Sequence, residues 1–132
     1  MGHSRTIEVP IVRNGGTFTV PVLVNGVISL SFMLDSGASD VSIPADVVLT
    51  LMRTGTLKDS DFIGTQNYRL ADGSIVPSKT FRIHTLTIGN QIIENVVGSM
   101  TGVEGSLLLG QSFLSRFQSW SIDNARQVLV LE

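Results

Sequence analysis

The chain has 132 residues, a net charge of −2, a pI of about 5.6, 15% charged residues and no cysteine. This length suits one domain, and the slightly acidic balance without a basic stripe argues against a nucleic-acid partner. The lack of cysteine excludes disulfides, thiolate catalysis and cysteine-ligated zinc. No apolar run reaches the roughly 18 residues that a membrane-spanning helix needs, so no membrane segment is predicted.

The low share of charged residues predicts a compact chain that hides extra surface in an oligomer, because soluble domains usually carry roughly 25% charged residues. Residues 6–132 are predicted to form a single domain, and residues 1–5 a tail or vector-derived remnant. The composition alone does not indicate a cell compartment.

The first half of the chain reads as short strands followed by one helix. Residues 17–24 and 27–34 alternate apolar and polar side chains, as strands with one buried face do. Asn25-Gly26 between them is a strong hairpin signal. In the next segment, apolar side chains spaced three and four apart predict a short helix that ends at Gly55.

The second half also favours strands. A hairpin is predicted over 66–80, with its turn at Asp72-Gly73, and Gly89-Asn90 separates two further strands. The remaining segments are predicted to be a loop, a buried strand, a short helix and two closing strands, at 101–106, 106–110, 111–117, 120–123 and 127–132. The predicted fold class is therefore all-β, with one or two short helices.

Several familiar catalytic sites are not expected. The chain has two histidines; His3 lies in the tail and His84 is predicted to face solvent from a strand. Neither a Ser-His-Asp triad nor a histidine metal site is therefore expected. Segment 110–114 lacks the second glycine of a G-x-S-x-G elbow, and the glycine-rich segment 98–106 lacks the lysine of a phosphate loop.

Asp35 differs from the other carboxylates because an apolar strand leads directly into it. A carboxylate in that position loses hydration and needs partners or a shifted pKa. Ser36 can supply a hydroxyl, and Gly37 lets the backbone turn tightly. Asp123 is predicted to cap its own turn. The aspartates in polar or turn contexts are predicted to be solvated: Asp46, Asp59, Asp61 and Asp72.

The run Asp35-Ser36-Gly37-Ala38 after an apolar strand, followed later by Leu108-Leu109-Gly110 and a short helix, resembles the retropepsin family of aspartic proteases. The likeness is greatest to bacterial, retroviral-type members of clan AA, and it extends from Thr6 to the last residue. It implies a retropepsin-like acid-protease barrel with one lobe per chain, closed by homodimerisation. It also implies that the 66–80 hairpin is the flap.

By this resemblance the protein is an aspartic endopeptidase that cleaves an extended polypeptide without a metal or cofactor. A single D-[ST]-G motif implies a homodimer in which two Asp35 carboxylates share a proton and activate water. The resemblance makes Asp35, Ser36 and Gly37 catalytic, with Ser36 hydrogen-bonding across the dimer axis. The dimer is expected to form through the terminal strands and the 35–37 loops. The residues expected to bind substrate are Ala38, Ser39, Asp72, Gly73, Ser74 and Ile75.

The sequence also departs from the family pattern. Retroviral members place an acid and an arginine where this chain has Ser39 and Gln111, so a neutral contact between these two side chains is expected. The flap tip carries Asp72 instead of a run of glycines. Tyr68 is predicted to pack in the flap arm, with a place lining the cleft as the alternative. Trp120 is predicted to fill the core or the interface. The walls of the substrate pockets are expected to include Ile43, Ile75 and Val76.

Two other functions stay open. One is a catalytically weak or inactive module of the same fold that binds peptides or mediates assembly, suggested by the missing ion pair and the unusual flap. The other is a β-barrel interaction domain in which Asp35 is an ordinary loop residue. The substitution Asp35→Asn distinguishes all three. The compartment is unknown, and a periplasmic or membrane-anchored parent protein fits the bacterial relatives.

Overall fold

A computed structural model describes residues 6–69 and 71–132, so the predicted tail with His3 lies outside the described residues. The described chain forms eleven strands, two α-helices and a 3-10 turn at Asp59–Asp61. This confirms the mainly β prediction. The strands are β1 (Ile7–Pro10), β2 (Val12–Asn14), β3 (Thr17–Val24), β4 (Ile28–Leu34), β5 (Val41–Pro44), β6 (Phe62–Arg69), β7 (Ile75–Ile88), β8 (Gln91–Thr101), β9 (Leu108–Leu109), β10 (Trp120–Asp123) and β11 (Val128–Leu131), and the helices are α1 (Ala45–Arg53) and α2 (Gln111–Leu114).

Eight strands form one large sheet in the order β2-β3-β4-β9-β5-β8-β7-β6. The sheet curls back on itself because β3 also pairs with β7, where Leu23 and Val24 lie opposite Thr87 and Leu86. A sheet that closes in this way encloses its core between its own strands. The inner faces of the strands therefore carry the large apolar side chains.

The enclosed core explains the alternation that the sequence shows. Every second residue of β3 from Val20 to Val24 is fully buried, and Phe32, Phe81 and Phe113 are the largest side chains in the interior. Ile43 is also fully buried in this core. The prediction that Ile43 forms a pocket wall is wrong, because its side chain points to the inner face of β5. Ile75 and Val76 are exposed on the hairpin, where Val76 lines a cavity, as predicted, and Ile75 does not.

Helix α1 covers one end of the core, as the apolar spacing predicts. Val48 and Leu51 are buried on its inner side. The chain leaves the helix through Gly55 with φ of 75°, a left-handed conformation that glycine adopts without strain. The helix is therefore amphipathic and ends where the sequence indicates.

The two ends of the described chain meet in a second sheet of three strands, in the order β1-β11-β10. Strand β11 pairs with β1 on one side and with β10 on the other within the same chain. Arg126 ties this sheet together through Glu8 at 2.6 Å and Asp123 at 2.8 Å. Asp123 also accepts backbone N–H groups of Ala125 and Arg126, which confirms that it caps its turn.

Asp61 is buried, so the prediction that it is a solvated residue is wrong. Its Oδ2 accepts the backbone N–H of Lys58 at 3.0 Å, and its Oδ1 lies 2.6 Å from Nε2 of His84. Burial by itself raises the pKa of Asp61. The hydrogen bonds from Lys58 and His84, and the charges of His84 and Arg82, outweigh burial and lower the pKa below its ordinary value. His84 faces solvent as predicted, yet it also fixes this buried carboxylate.

We expect the substitution Asp61→Asn to lower the free energy of unfolding at pH 7 by about 2 kcal/mol, because it weakens hydrogen bonds to a charged, buried acceptor. A carboxyl whose pKa is lowered by folding stabilises the native state above its unfolded pKa, and that stabilisation is lost as the pH falls through the folded value. The gap between variant and wild type should therefore shrink below about pH 4. Urea unfolding at pH 7 and pH 3 measures the difference in free energy of unfolding between wild type and variant. Asp59→Asn, which changes an exposed neighbour, is the control. An equal difference at both pH values contradicts the prediction.

Candidate active site

Asp35 lies immediately after β4, where that strand meets β9. The two strands run parallel, with Met33 and Leu34 opposite Leu108 and Leu109. The backbone N–H of Asp35 donates to the carbonyl of Leu109 at 3.1 Å. The Asp35-Ser36-Gly37 and Leu108-Leu109-Gly110 motifs are therefore adjacent in space, and the second motif is hydrogen-bonded to the first.

The loop after Asp35 is held in a tight turn. The backbone N–H of Gly37 donates to Oδ1 of Asp35 at 2.9 Å, and the N–H of Ala38 donates to the Asp35 carbonyl at 3.2 Å. Asp35 is half-buried, whereas Ser36 and Gly37 are exposed. The carboxyl group is thus fixed through one oxygen, and its surroundings on the Ser36 side are open.

Gly110, at the end of the second motif, packs directly against the backbone of the loop that follows Asp35. A Cβ atom at Gly110 would lie 2.3 Å from the carbonyl oxygen of Asp40 and 2.6 Å from that of Ala38. The next two residues lock the loops together: the N–H of Gln111 donates to the Ala38 carbonyl, and that of Ser112 to the Ser39 carbonyl, both at 2.8 Å. Only glycine fits at this position because the backbone of the Asp35 loop occupies the space of a side chain.

The predicted side-chain contact between Ser39 and Gln111 does not form. Nε2 of Gln111 instead donates to the backbone carbonyl of Ser36 at 2.8 Å. Ser39 is exposed and is held through its own carbonyl by the Ser112 N–H. A neutral amide therefore braces the Asp-Ser-Gly loop directly, through the backbone of its middle residue.

Strands β6 and β7 form the predicted hairpin, with Gln66 opposite Ser78 and Tyr68 opposite Val76. At its tip, Oδ1 of Asp72 accepts the Ser74 hydroxyl at 2.6 Å and the Ser74 N–H at 2.9 Å. These two hydrogen bonds from Ser74 lower the pKa of Asp72. The carboxylate of Asp72 at the hairpin tip is therefore ionised at neutral pH and is held in its turn by Ser74.

A cavity of about 430 Å³ lies between the hairpin arm and the loop that follows Asp35. Gly37, Ala38 and Ser39 line it, and two of these, Ala38 and Ser39, are predicted substrate-binding residues. The other four, at the hairpin tip, do not line it; they are exposed above it. The structure thus brings the loop residues together at the cavity and leaves Asp72, Gly73, Ser74 and Ile75 outside it.

Tyr68 also lines this cavity, so the alternative of a place in the cleft holds and packing in the hairpin arm is not its only role. Its hydroxyl donates a hydrogen bond to Oδ2 of Asp40. Burial and this hydrogen bond to a carboxylate raise the pKa of Tyr68 to about 12. The phenol therefore keeps its proton across the physiological range and links the hairpin to the Asp35 loop.

Asp40 is the residue at this site that sequence reasoning missed. It stands directly before the four buried residues of β5, whereas Asp35 stands directly after the end of β4. The position of Asp40 beside this strand was still a usable signal. Among residues 6–69 and 71–132 there is no group of three or more His, Cys, Asp or Glu side chains placed to hold a metal ion. The same residues contain no helix long and apolar enough to cross a membrane.

A small closed sheet that presents one Asp-Ser-Gly loop beside a hairpin has the architecture of one lobe of an acid-protease fold. The family model described as "gag-polyprotein putative aspartyl protease" matches residues 20–116. The chain therefore belongs to this retropepsin-like aspartic protease family, which confirms the resemblance seen in the sequence.

A solved structure of similar fold is that of a retropepsin-like aspartic protease from Rickettsia conorii. It is 25% identical to this chain, with a TM-score of 0.71, and the match covers 99% of this chain and 94% of that one. No curated protein is similar enough to the chain to count as a match. The fold is thus supported along almost the full length, and the family over residues 20–116.

Proposed function

We propose that the protein is an aspartic endopeptidase that acts as a homodimer. The observation that carries the proposal is the Asp35 loop, in which a half-buried carboxylate is anchored by the Gly37 N–H and supported by the strand ending at Gly110. A carboxylate held in place by its loop, next to residues that line a cavity, suits acid–base chemistry, which needs a fixed proton acceptor.

The reaction needs two carboxylates, and each chain offers one Asp-Ser-Gly loop. In the proposed dimer the two Asp35 side chains face each other and share one proton, because two like charges so close cannot both ionise easily. The ionised Asp35 takes a proton from a water molecule that attacks the scissile carbonyl. The protonated Asp35 gives its proton to the carbonyl oxygen, and a diol forms. The Asp35 that took the proton from water then passes it to the amide nitrogen as the C–N bond breaks, and the diol returns a proton to the other Asp35 as the product carboxyl group forms.

The proposed interface consists of the exposed Ser36–Gly37 segment and the three-stranded terminal sheet. Both of these surfaces are available in one chain, because Ser36 and Gly37 are exposed and strands β1 and β10 are the edges of their sheet. An isologous contact through them gives a closed two-fold dimer. In this arrangement Ser36 would hydrogen-bond across the axis and hold the two carboxylates in register.

The proposed substrate is an extended polypeptide bound between the Asp35 loops and the hairpin. Ala38 and Ser39 contribute the floor, and the hairpin tip from Asp72 to Ile75 closes over the peptide from above. Main-chain hydrogen bonds to an extended peptide give affinity, and alternate side chains enter pockets. Closure of the hairpin excludes water from the reacting bond.

Cleavage of a peptide library between pH 3.5 and 7, at several protein concentrations, tests the proposal. We expect cleavage whose specific activity rises with protein concentration, because dilution separates the two halves of the site. Absence of cleavage at a concentration where sedimentation shows a dimer contradicts the enzyme function of this chain.

The second candidate function is a peptide-binding or assembly module of the same fold with weak or no catalysis. It is favoured by the neutral Gln111 brace, which replaces the ion pair of retroviral members. This candidate predicts that wild type and Asp35→Asn bind the same peptides and that neither cleaves them. The endopeptidase predicts that only the wild type cleaves.

The link between Tyr68 and Asp40 leads to a separate prediction. We expect Tyr68→Phe to raise KM about fivefold with a smaller change in kcat, because the hairpin loses a hydrogen bond to a charged acceptor on the floor. Steady-state kinetics on one good substrate measure the split. Phe62→Tyr is the control, because it changes an aromatic residue near the hairpin base without affecting the hydrogen bond to Asp40. An unchanged KM in Tyr68→Phe contradicts the prediction.

A further inference from the structure

The cavity beside the Asp35 loop has a mostly apolar surface that several polar side chains interrupt. Ligand cavities are mostly lined by apolar side chains, with a few placed polar groups. Here eight lining side chains can form hydrogen bonds: Ser39, Asp40, Ser42, Tyr68, Arg69, Ser78, Ser99 and Thr101. An aliphatic occupant is costly where it covers a polar group that has no partner in the protein, because that group then loses water without gaining a hydrogen bond.

Ser42 and Ser99 form the inner wall of this cavity. They lie opposite each other on β5 and β8 and are only 8% and 5% exposed. Among the described residues the Ser42 hydroxyl has no hydrogen-bond partner, and no fully shielded side-chain oxygen or nitrogen lacks one. The Ser42 oxygen is therefore open to the cavity, where it can donate and accept a hydrogen bond.

Asp40 supplies an acceptor at the mouth. Its Oδ2 accepts the Tyr68 hydroxyl, while in the described part of the chain its Oδ1 accepts no hydrogen bond. Arg69 also lines the cavity, so the lining carries one acidic and one basic group. These two charges are balanced, which favours an uncharged occupant over a cation or an anion.

We propose that this cavity is a substrate subsite that selects an uncharged hydrogen-bonding side chain, with glutamine or asparagine as the best occupants. The amide N–H groups donate to Oδ1 of Asp40, and the amide oxygen accepts from the Ser42 hydroxyl. An aliphatic side chain leaves both groups desolvated and unpaired, and sites built for hydrogen bonding reject such analogues strongly. The inference rests on the proposed endopeptidase function, and it specifies the substrate class for that same cleft.

The test compares peptides that carry glutamine, leucine, lysine or glutamate at each position around one cleavage site, using wild type and Ser42→Ala. We expect one position at which the wild type prefers glutamine over leucine by about tenfold or more in kcat/KM. Ser42→Ala should reduce this ratio several-fold at that position and leave the other positions unchanged. Ser29→Ala makes the same change on an exposed part of β4 and should leave every ratio as in the wild type.

The outcomes separate the subsite from the enzyme function. Cleavage with leucine equal to or above glutamine at every position overturns the subsite, as does a preference for lysine or glutamate at the Ser42-dependent position. An unchanged ratio in Ser42→Ala overturns it too. If the wild type cleaves nothing, the endopeptidase proposal fails. Fluorescence anisotropy with labelled glutamine and leucine peptides on Asp35→Asn then tests the subsite alone. Tighter binding of the glutamine peptide supports the subsite, and equal or weaker binding overturns it.

Discussion

Replacement of Asp35 by asparagine is expected to lower kcat/KM about 1000-fold or more, because the side chain keeps its shape but can no longer take a proton from water. The loop should stay intact, since an asparagine oxygen can still accept the Gly37 N–H that Oδ1 of Asp35 accepts at 2.9 Å. We therefore expect the free energy of unfolding to change by less than about 1 kcal/mol. Peptide cleavage and urea unfolding of the same preparation measure both quantities.

Mixing this variant with the wild type tests whether each site needs two Asp35 side chains. If subunits exchange freely, an equimolar mixture contains about one quarter wild-type dimers, one half mixed dimers and one quarter variant dimers. Activity should then fall to about a quarter of that of wild type at the same total concentration. A value near one half contradicts the shared site, because it means that each Asp35 works alone. The matched control is Asp59→Asn, which alters an exposed aspartate on the 3-10 turn and should leave activity unchanged.

Gly110→Ala is expected to destabilise the protein by about 3 kcal/mol, the largest effect on stability that we predict. The new methyl group would lie 2.3 Å from the Asp40 carbonyl and 2.6 Å from the Ala38 carbonyl, and backbone cannot move aside as a flexible side chain can. Gly110 has φ of −100°, which alanine also adopts, so the cost is steric and not conformational.

Gly102→Ala is the matched control for that measurement, because a Cβ atom there meets nothing within 4 Å. Urea denaturation of both variants gives the comparison. Activity of Gly110→Ala should fall as well, since relief of the clash pushes the Asp35 loop away from the strand that supports it. An unfolding midpoint of Gly110→Ala equal to that of Gly102→Ala contradicts the close packing of the two motifs.

The sequence by itself determined the features that depend on neighbouring residues. Alternation marked β3 and β4, the spacing of Val48 and Leu51 marked α1, and Gly55 marked its end. These predictions hold because local geometry decides which side chains share a face. The apolar strand leading into Asp35 marked the loop for the same reason, and the family likeness then pointed to Leu108–Gly110 as its partner.

Only the tertiary structure decided which polar groups meet across long stretches of chain. Gln111 reaches the Ser36 carbonyl instead of Ser39, and Tyr68 reaches Asp40. His84 likewise reaches Asp61, which its polar sequence context had placed in solvent. Each pair joins residues from different strands or loops, and their contact depends on how the strands are ordered in the closed sheet. A local pattern shows which way a side chain faces along its own strand, but the sheet order determines what lies opposite it.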